Sequence, residues 1–335
     1  MSILFPIARR VLLGTDPERA HSMTRSAPTP PPVARIGAGR LPSNPLEIAA
    51  RRARNPCGVP AGVDKKAVAV DGLLALGFGF VEIGGVTPRP QPGNPQPRVF
   101  RLLEDRAVIN RYGLNSDGAE AVARNLQGQK RPGIVGVNLG ANKESNDRTA
   151  DYAECLRVVG PHVDYATINV SSPNTPGLRA LQGGAALTEI FGRLNQVRDA
   201  GRLKTPLFLK VAPDLTEEDI ADIARVSLDL GIDALVIANT TIARPDSLRS
   251  LHRNEAGGLS GAPLMQASTD VLARFRDATR GEIPLIGVGG IMSGADAAAK
   301  ISAGASAVQF YSGMIWRGPE LIAEAARSIA AEQWT

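Results

Sequence analysis

Two lysines in the 335-residue chain stand at the ends of apolar, β-type runs: Lys65 follows the run that closes at Val63, and Lys210 lies inside LFLKVAP. An ammonium in such a run is costly to bury unless it faces an anion or an electron-rich ligand. It could form a Schiff base, and it could equally stabilise negative charge on a bound carboxylate or a reduced flavin ring. A second cluster consists of amides and hydroxyls. Residues 169–175 hold Asn169, Ser171, Ser172, Asn174 and Thr175, followed by Pro176 and Gly177. Asn239, Thr240 and Thr241 follow another apolar run, and Asn138 and Asn142 belong to a third. Asn both donates and accepts, which suits a planar amide- or imide-bearing ligand held without charge transfer. Most isolated Asn/Ser clusters are Asx turns and helix caps; convergence from several strand ends favours a site. The segments Gly287–Gly290 (GVGG) and Gln309–Gly313 (QFYSG) add glycines whose backbone N–H groups could approach a phosphate, although such turns are more often tight connections.

Eight apolar β-type runs can place these groups: residues 57–63, 78–86, 134–139, 165–170, 206–211, 234–238, 284–288 and 307–311. Longer helical patterns separate them, as in βα units around a parallel sheet. Eight strands close a (β/α)8 barrel, whose chemistry sits on loops after the carboxyl ends of the strands. Polar or glycine residues follow each run at once, which fits that end. An open doubly wound sheet would need a switch-point crevice and usually an early glycine fingerprint, and neither is evident. Residues 55–335 are therefore expected to form the barrel and residues 1–54 a small appendage.

Hydrophobic residues make up 43% of the chain and charged residues 21%, ordinary globular values that exclude a disordered or collagen-like chain. The net charge is +5, yet residues 1–54 hold nine Arg against Asp16, Glu18 and Glu47, a local +6 that leaves the remainder at −1. A nucleic-acid binder would spread its basic residues along a face, so none is expected as a partner. Ile3, Leu4, Phe5, Ile7, Val11, Leu12 and Leu13 surround Arg9 and Arg10 in a pattern that fits an interfacial amphipathic helix, or one docked on the protein's own core. Proline-rich SAPTPPP at 26–32 cannot continue a helix. Neither a spanning segment nor a signal peptide is expected. Cys57 and Cys155 make no disulfide framework, and three scattered histidines give no metal motif, so no metal is expected.

The strings NPCGVPAGVDK, GFVEIGGVTPRPQPGNPQPRVFRL, INRYGLNSDG, INVSSPNTPGLR, KVAPDL, ANTTIARP, GGLSG, IGVGGI and QFYSG occur in that order, preceded by DPERAH. Together they resemble the membrane-associated, quinone-dependent (class 2) dihydroorotate dehydrogenases of pyrimidine synthesis, from about Asn55 to Gly318. The resemblance implies a (β/α)8 barrel with FMN, oxidation of dihydroorotate to orotate, and a quinone as final acceptor. It makes Ser172 the base, with Thr175 or a water as relay, taking a proton from the carbon beside the carbonyl while hydride leaves the neighbouring carbon for the flavin. It places the substrate among Lys65, Asn110, Asn115, Asn169, Asn174, Asn239 and Thr240, with Tyr112, Gly113 and Leu114 in the INRYGLNSDG segment. It assigns FMN to Ala61, Gly62, Gly85, Asn138, Lys210, Ala238, Gly261, Gly290, Tyr311 and Ser312, with Lys65 and Asn169 shared. His21 and Arg101 resemble the family's quinone-side residues, under an N-terminal segment that attaches the protein peripherally to the cytoplasmic side of a membrane. Without that attachment it would be soluble and cytoplasmic.

Departures from the pattern are specific. Gly85 and Ala238 stand where the family usually has Thr, Leu114 where it has Phe, Ser116 and Lys66 where it has Asn, and Ala141 where it has Lys. These leave a second expectation open, an FMN-dependent relative of the same fold acting on another small substrate or acceptor. A third, a catalytically silent flavin- or orotate-binding relative, is disfavoured by retention of Ser172.

Overall fold

The computed structural model describes residues 4–26, 46–48 and 51–332. Helices α1 (Leu4–Gly14) and α2 (Pro17–Ser26) come first, followed by the antiparallel pair β1 (Leu46–Ile48) and β2 (Arg51–Ala53). The strands β3 (Cys57–Val59), β4 (Phe80–Val86), β7 (Ile134–Leu139), β8 (Tyr165–Asn169), β9 (Leu207–Val211), β10 (Ala234–Ile237), β12 (Leu285–Val288) and β13 (Ala307–Gln309) close on one another, all parallel, in chain order. These are the eight apolar runs, trimmed at their ends, and helices cover the outside of the barrel. The expected (β/α)8 fold is the one observed.

Two layers of side chains build it. Facing outward, Val81, Ile83, Val135, Val137, Leu207 and Leu209 pack beneath the helices. Facing inward, Phe80, Ile134, Tyr165, Phe208, Ala234, Val236, Ile286 and Ala307 fill the lower barrel, where Ala53 of β2 joins them. Tyr165 and Phe208 stack with ring centroids 4.5 Å apart. That filling needs a gap in the wall: a Cβ at Gly136 would overlap the Tyr165 ring. The upper barrel carries polar groups instead, so the site begins where the apolar plug stops.

Capping fixes several helix starts at the barrel rim. Thr216 and Asp219 form a reciprocal capping box on the helix Glu217–Asp229, and Ser293 accepts from Asp296 N on the helix Gly294–Ser302. A three-stranded antiparallel sheet of β5 (Val99–Leu102), β6 (Ala107–Asn110) and β11 (Gly258–Gly261) was not expected from the runs. It has its own small core of Phe100, Leu102, Ala107, Ile109, Leu248 and Leu259. This sheet roofs one side of the barrel mouth, and α2 packs on β5.

Helices α1 and α2 touch the rest of the protein and leave part of their surface open. Arg9 donates to Trp316 O at 2.8 Å, Arg101 donates to Leu13 O and Thr15 O, and Ala20 is buried. Val11 and Met23 remain exposed. The proline-rich segment 26–32 lies outside the described residues, apart from Ser26 at the end of α2. No described helix is long and apolar enough to cross a membrane, and no group of three metal-ligating side chains occurs among the described residues. Cys57 and Cys155 are free and buried, and burial pushes both thiols up.

Candidate functional site

A cavity of about 470 Å³ runs from the carboxyl ends of the barrel strands to the gap beneath α1 and α2. At its deep end an amide network spans four strands. Asn138 on β7 donates to Glu82 Oε1 of β4 at 2.9 Å, and Asn169 on β8 donates to Asn138 Oδ1 at 2.9 Å. Asn239, just past β10, donates to Ser171 Oγ at 3.0 Å and to Asn169 Oδ1 at 3.3 Å, and its own Oδ1 accepts from Thr240 N at 2.8 Å. The chain of bonds fixes which end of each amide faces inward. Tyr152 OH, from the surrounding helix Arg148–Val159, donates to Asn169 O at 2.9 Å and holds the strand end from outside.

Glu82 anchors this network and was missed in the sequence. It is fully buried and also accepts from Thr167 Oγ1 at 2.9 Å, and from Tyr165 OH and Gln309 Nε2 at 3.4 Å each. The one available signal was an acid inside the apolar run FVEIGGV. Lys210 on β9 shares the barrel interior. Burial lowers its pKa, and the negative charge of Glu82 pulls it back up. The Lys210 side chain makes no hydrogen bond among the described residues and lines the cavity, so its ammonium is available to a ligand.

Lys65 reaches in from the opposite wall. Its Nζ donates to Gly62 O at 2.9 Å and lies 4.0 Å from the centre of the Tyr112 ring. Asn174 donates to Asn110 Oδ1 at 3.3 Å, and its backbone N–H donates to Ser172 Oγ at 3.3 Å. Gly113 and Leu114 both adopt positive φ, 71° and 54°, which turns the chain so that Tyr112, Leu114 and Asn115 all line the cavity. Across it, a Cβ at Gly85 would stand 3.0 Å from Leu114 Cδ2 and 3.4 Å from Asn138 Oδ1. Two of the departures from the family pattern thus touch each other.

At the far rim, Gly289 and Gly290 have φ of 109° and 80° and present backbone rather than side chains. Ser260 and Ser312 hydroxyls meet at 3.0 Å. Toward α2, His21 Nε2 lies 2.7 Å from Val63 O, and the His21 and Tyr311 rings are 6.1 Å apart. Arg101 ties the α1–α2 corner to β5, and Glu18 of α2 pairs with Arg98 at 2.6 Å. All but one of the residues that the resemblance assigns to catalysis, substrate, flavin or quinone line this cavity. Thr175 is the exception: it is buried behind the loop, and its Oγ1 has no hydrogen-bond partner among the described residues.

The dihydroorotate dehydrogenase family profile matches residues 46–332. The chain belongs to this family. A dihydroorotate dehydrogenase (quinone) of Cereibacter sphaeroides is 52% identical over 338 residues, covering 99% of this chain and 94% of that protein. The mitochondrial dihydroorotate dehydrogenase (quinone) of Mus musculus is 48% identical, covering 98% and 85% respectively. The crystal structure of the Eimeria tenella dihydroorotate dehydrogenase in complex with ferulenol superposes with a TM-score of 0.85 at 39% identity, over 96% of this chain and 93% of that one.

A flavin is the cofactor that membership of the dihydroorotate dehydrogenase family implies, and the residues present fit one. Gln309 Oε1 and Asn115 Oδ1 are buried without partners among the described residues. Gly62, with φ 102°, faces open space where a side chain would project. The Lys210 ammonium stands ready for a ring that becomes more negative. Such unpartnered groups are costly unless a ligand completes them.

Proposed function

We propose that this chain oxidises dihydroorotate to orotate with bound FMN and passes the electrons to a quinone, the oxidative step of pyrimidine synthesis. One observation carries the reading: a single cavity joins the amide-lined barrel mouth, with Ser172 at its wall, to the gap under α1 and α2, where His21 and Arg101 lie.

FMN, when bound, supplies the acceptor for the two electrons of the substrate and the donor to the quinone. The residues that would hold it are Ala61, Gly62, Gly85, Asn138, Lys210 and Ala238 around the ring and ribityl chain, with Lys65 and Asn169 shared. Gly261, Gly290, Tyr311 and Ser312 would hold the phosphate. Gly85 and Ala238 offer no hydroxyl, which forgoes about 0.5–1.5 kcal/mol of binding at each position.

Lys65 would grip the substrate carboxylate. Asn110, Asn115, Asn169, Asn174, Asn239 and Thr240 would match the donors and acceptors of the ring, with Tyr112, Gly113 and Leu114 closing over it. Ser172 would accept the proton from carbon. A neutral serine hydroxyl is a weak base, so it would give up its own proton as it takes the one from carbon, and the Asn174 N–H aimed at Oγ favours the alkoxide character that this exchange needs. Thr175 would relay that proton outward; its buried, unpartnered hydroxyl is free to turn toward one more group. Exclusion of bulk water, here aided by burial of Ser172, Asn169 and Lys210, strengthens each of these contacts.

Exposed Val11 and Met23, with the local excess of arginine, support peripheral attachment of α1 and α2 to the cytoplasmic face of a membrane. An anaerobic visible spectrum before and after adding dihydroorotate tests the central reading. A flavin band that bleaches is the expected result. A band that persists in folded protein would instead favour a relative with a different substrate.

A further inference from the structure

Lys300 is wholly buried on the helix Gly294–Ser302 and does not line the cavity. Its stem runs beneath β12: a Cβ at Gly287 would stand 3.2 Å from Lys300 Cβ and 3.3 Å from Cδ. Nζ donates to Ser268 Oγ at 2.6 Å, its one hydrogen bond among the described residues. Ser268 Oγ in turn lies 2.7 Å from Leu264 O and 3.1 Å from Gly289 O, and both of those residues line the cavity. A buried ammonium with a single acceptor is expensive, and an apolar chain of equal volume would pack there at no such cost. Its position therefore calls for a reason beyond packing.

We propose that Lys300 is a positioning residue for the cofactor phosphate, its ammonium set one hydroxyl behind the GVGG turn, so that the protein binds phosphorylated flavin more tightly than it would without the buried charge. This rests on the reading of the site as an FMN site. The turn presents backbone rather than a charged side chain, so a positive charge set behind it would add to what the N–H groups offer a dianion.

The surroundings of Lys300 make this charge responsive to pH. Burial brings its pKa down to about 7, and Asp270 on the helix Met265–Ala278 and Asp296 on its own helix offset only part of that. On the remaining side the helix Glu320–Glu332 contributes Glu324, which accepts from Gly294 N at 2.7 Å and pairs with Arg317, and Glu332, which accepts from Ser302 Oγ. Arg276 pairs with Asp277, and neither β12 nor β13 contains a charged residue. A phosphate at the turn favours the charged ammonium and raises its pKa. Affinity for FMN is then full below about pH 7 and declines as pH rises from there toward the higher pKa of the occupied state.

Serial dilution of purified holoenzyme, with free-flavin fluorescence read at each step, gives the dissociation constant between pH 7 and 9. Wild type is expected to weaken about fivefold across that window, the part left at pH 7 and above of the tenfold that a shift of about one unit in the pKa of the lysine gives in all. Lys300→Met is expected to start about fivefold weaker at pH 7 and to show no slope. Lys300→Arg, charged throughout, is expected to bind tightly with no slope, and it decides the matter if the Met variant does not fold. A flat wild-type profile, or a slope that persists in either variant, overturns the proposal. Mass analysis of the released flavin separates the two readings: riboflavin, FAD or no flavin at all would defeat the FMN site itself, not Lys300 alone.

Discussion

Replacing Glu82 by Gln changes one atom at the centre of the barrel, and the network makes its consequence calculable. Both oxygens of the carboxylate face donors: Asn138 Nδ2 on one side, and Thr167, Tyr165 and Gln309 on the other. An amide must turn its NH2 toward one side. The less costly choice points it at Asn138, where it opposes another NH2. Asn138 then has to rotate its own amide, and Oδ1 no longer accepts from Asn169. A hydrogen bond to a charged group contributes roughly 1.5–3 kcal/mol and a neutral one about 1 kcal/mol. Losing one of each, with Lys210 deprived of its counter-charge, gives an expected destabilisation of about 3 kcal/mol. Equilibrium urea denaturation of wild type and Glu82→Gln measures it. The same samples should show slower bleaching by dihydroorotate, because Asn169 and Asn239 lose their fixed orientation. Stability within about 0.5 kcal/mol of wild type, the range of ordinary surface substitutions, would refute the network as the anchor of the site.

Ser172→Ala should slow anaerobic bleaching by about 10²–10⁴-fold while the protein keeps its flavin; an unchanged rate removes Ser172 from the chemistry. Deleting residues 1–40 should abolish quinone reduction and cosedimentation with lipid vesicles while bleaching by dihydroorotate survives; equal loss of both half-reactions would make the segment part of the catalytic core. Gly136→Ala forces a Cβ into the Tyr165 ring and should cost about 1–3 kcal/mol in the same denaturation assay, with no cost if the lower barrel can yield. The Glu18 carboxyl is held below its ordinary pKa: burial opposes its charge, and hydrogen bonds from Arg98 and Gln96 outweigh that. Its tie to Arg98 is therefore complete above about pH 4.5 and lost as pH falls through the lowered value, so proteolysis within α2 should quicken in acid for wild type and be fast at every pH in Glu18→Gln.

How much was legible in the sequence depends on how far apart the interacting residues lie. The eight strands could be read because each is a local apolar run, and the carboxyl-end residues came with them because a parallel barrel places every strand end on one face. Lys65, Lys210 and the asparagines were visible as polar groups at those ends. The pairing of β5 and β6 with β11 was not, because β6 and β11 meet across a long stretch of chain, as the Ser260 to Val108 contact spans 152 residues. Glu82 was hidden for the same reason: its partners lie 56, 85 and 227 residues away, and only barrel closure brings them together.

The placement of charge explains why the fold bears such a costly interior. A barrel filled to the top with aliphatic side chains would be more stable, since buried ion pairs rarely outperform well-packed apolar groups. Here the apolar plug ends at Phe80, Tyr165 and Phe208, and above it stand Glu82, Lys210, Asn138, Thr167 and Gln309. Glu82 satisfies the donors it faces and leaves the Lys210 ammonium turned toward the cavity, with no hydrogen bond among the described residues. A cation held this way is stabilised by whatever becomes more negative beside it, and it requires no reorganisation when that happens. Such an arrangement serves no purpose in a purely structural barrel. It suits one whose ligand must gain charge during each turnover, and Lys210 and Asn138, the two groups above the plug that line the cavity beside Gln309, are those that the family pattern assigns to the flavin.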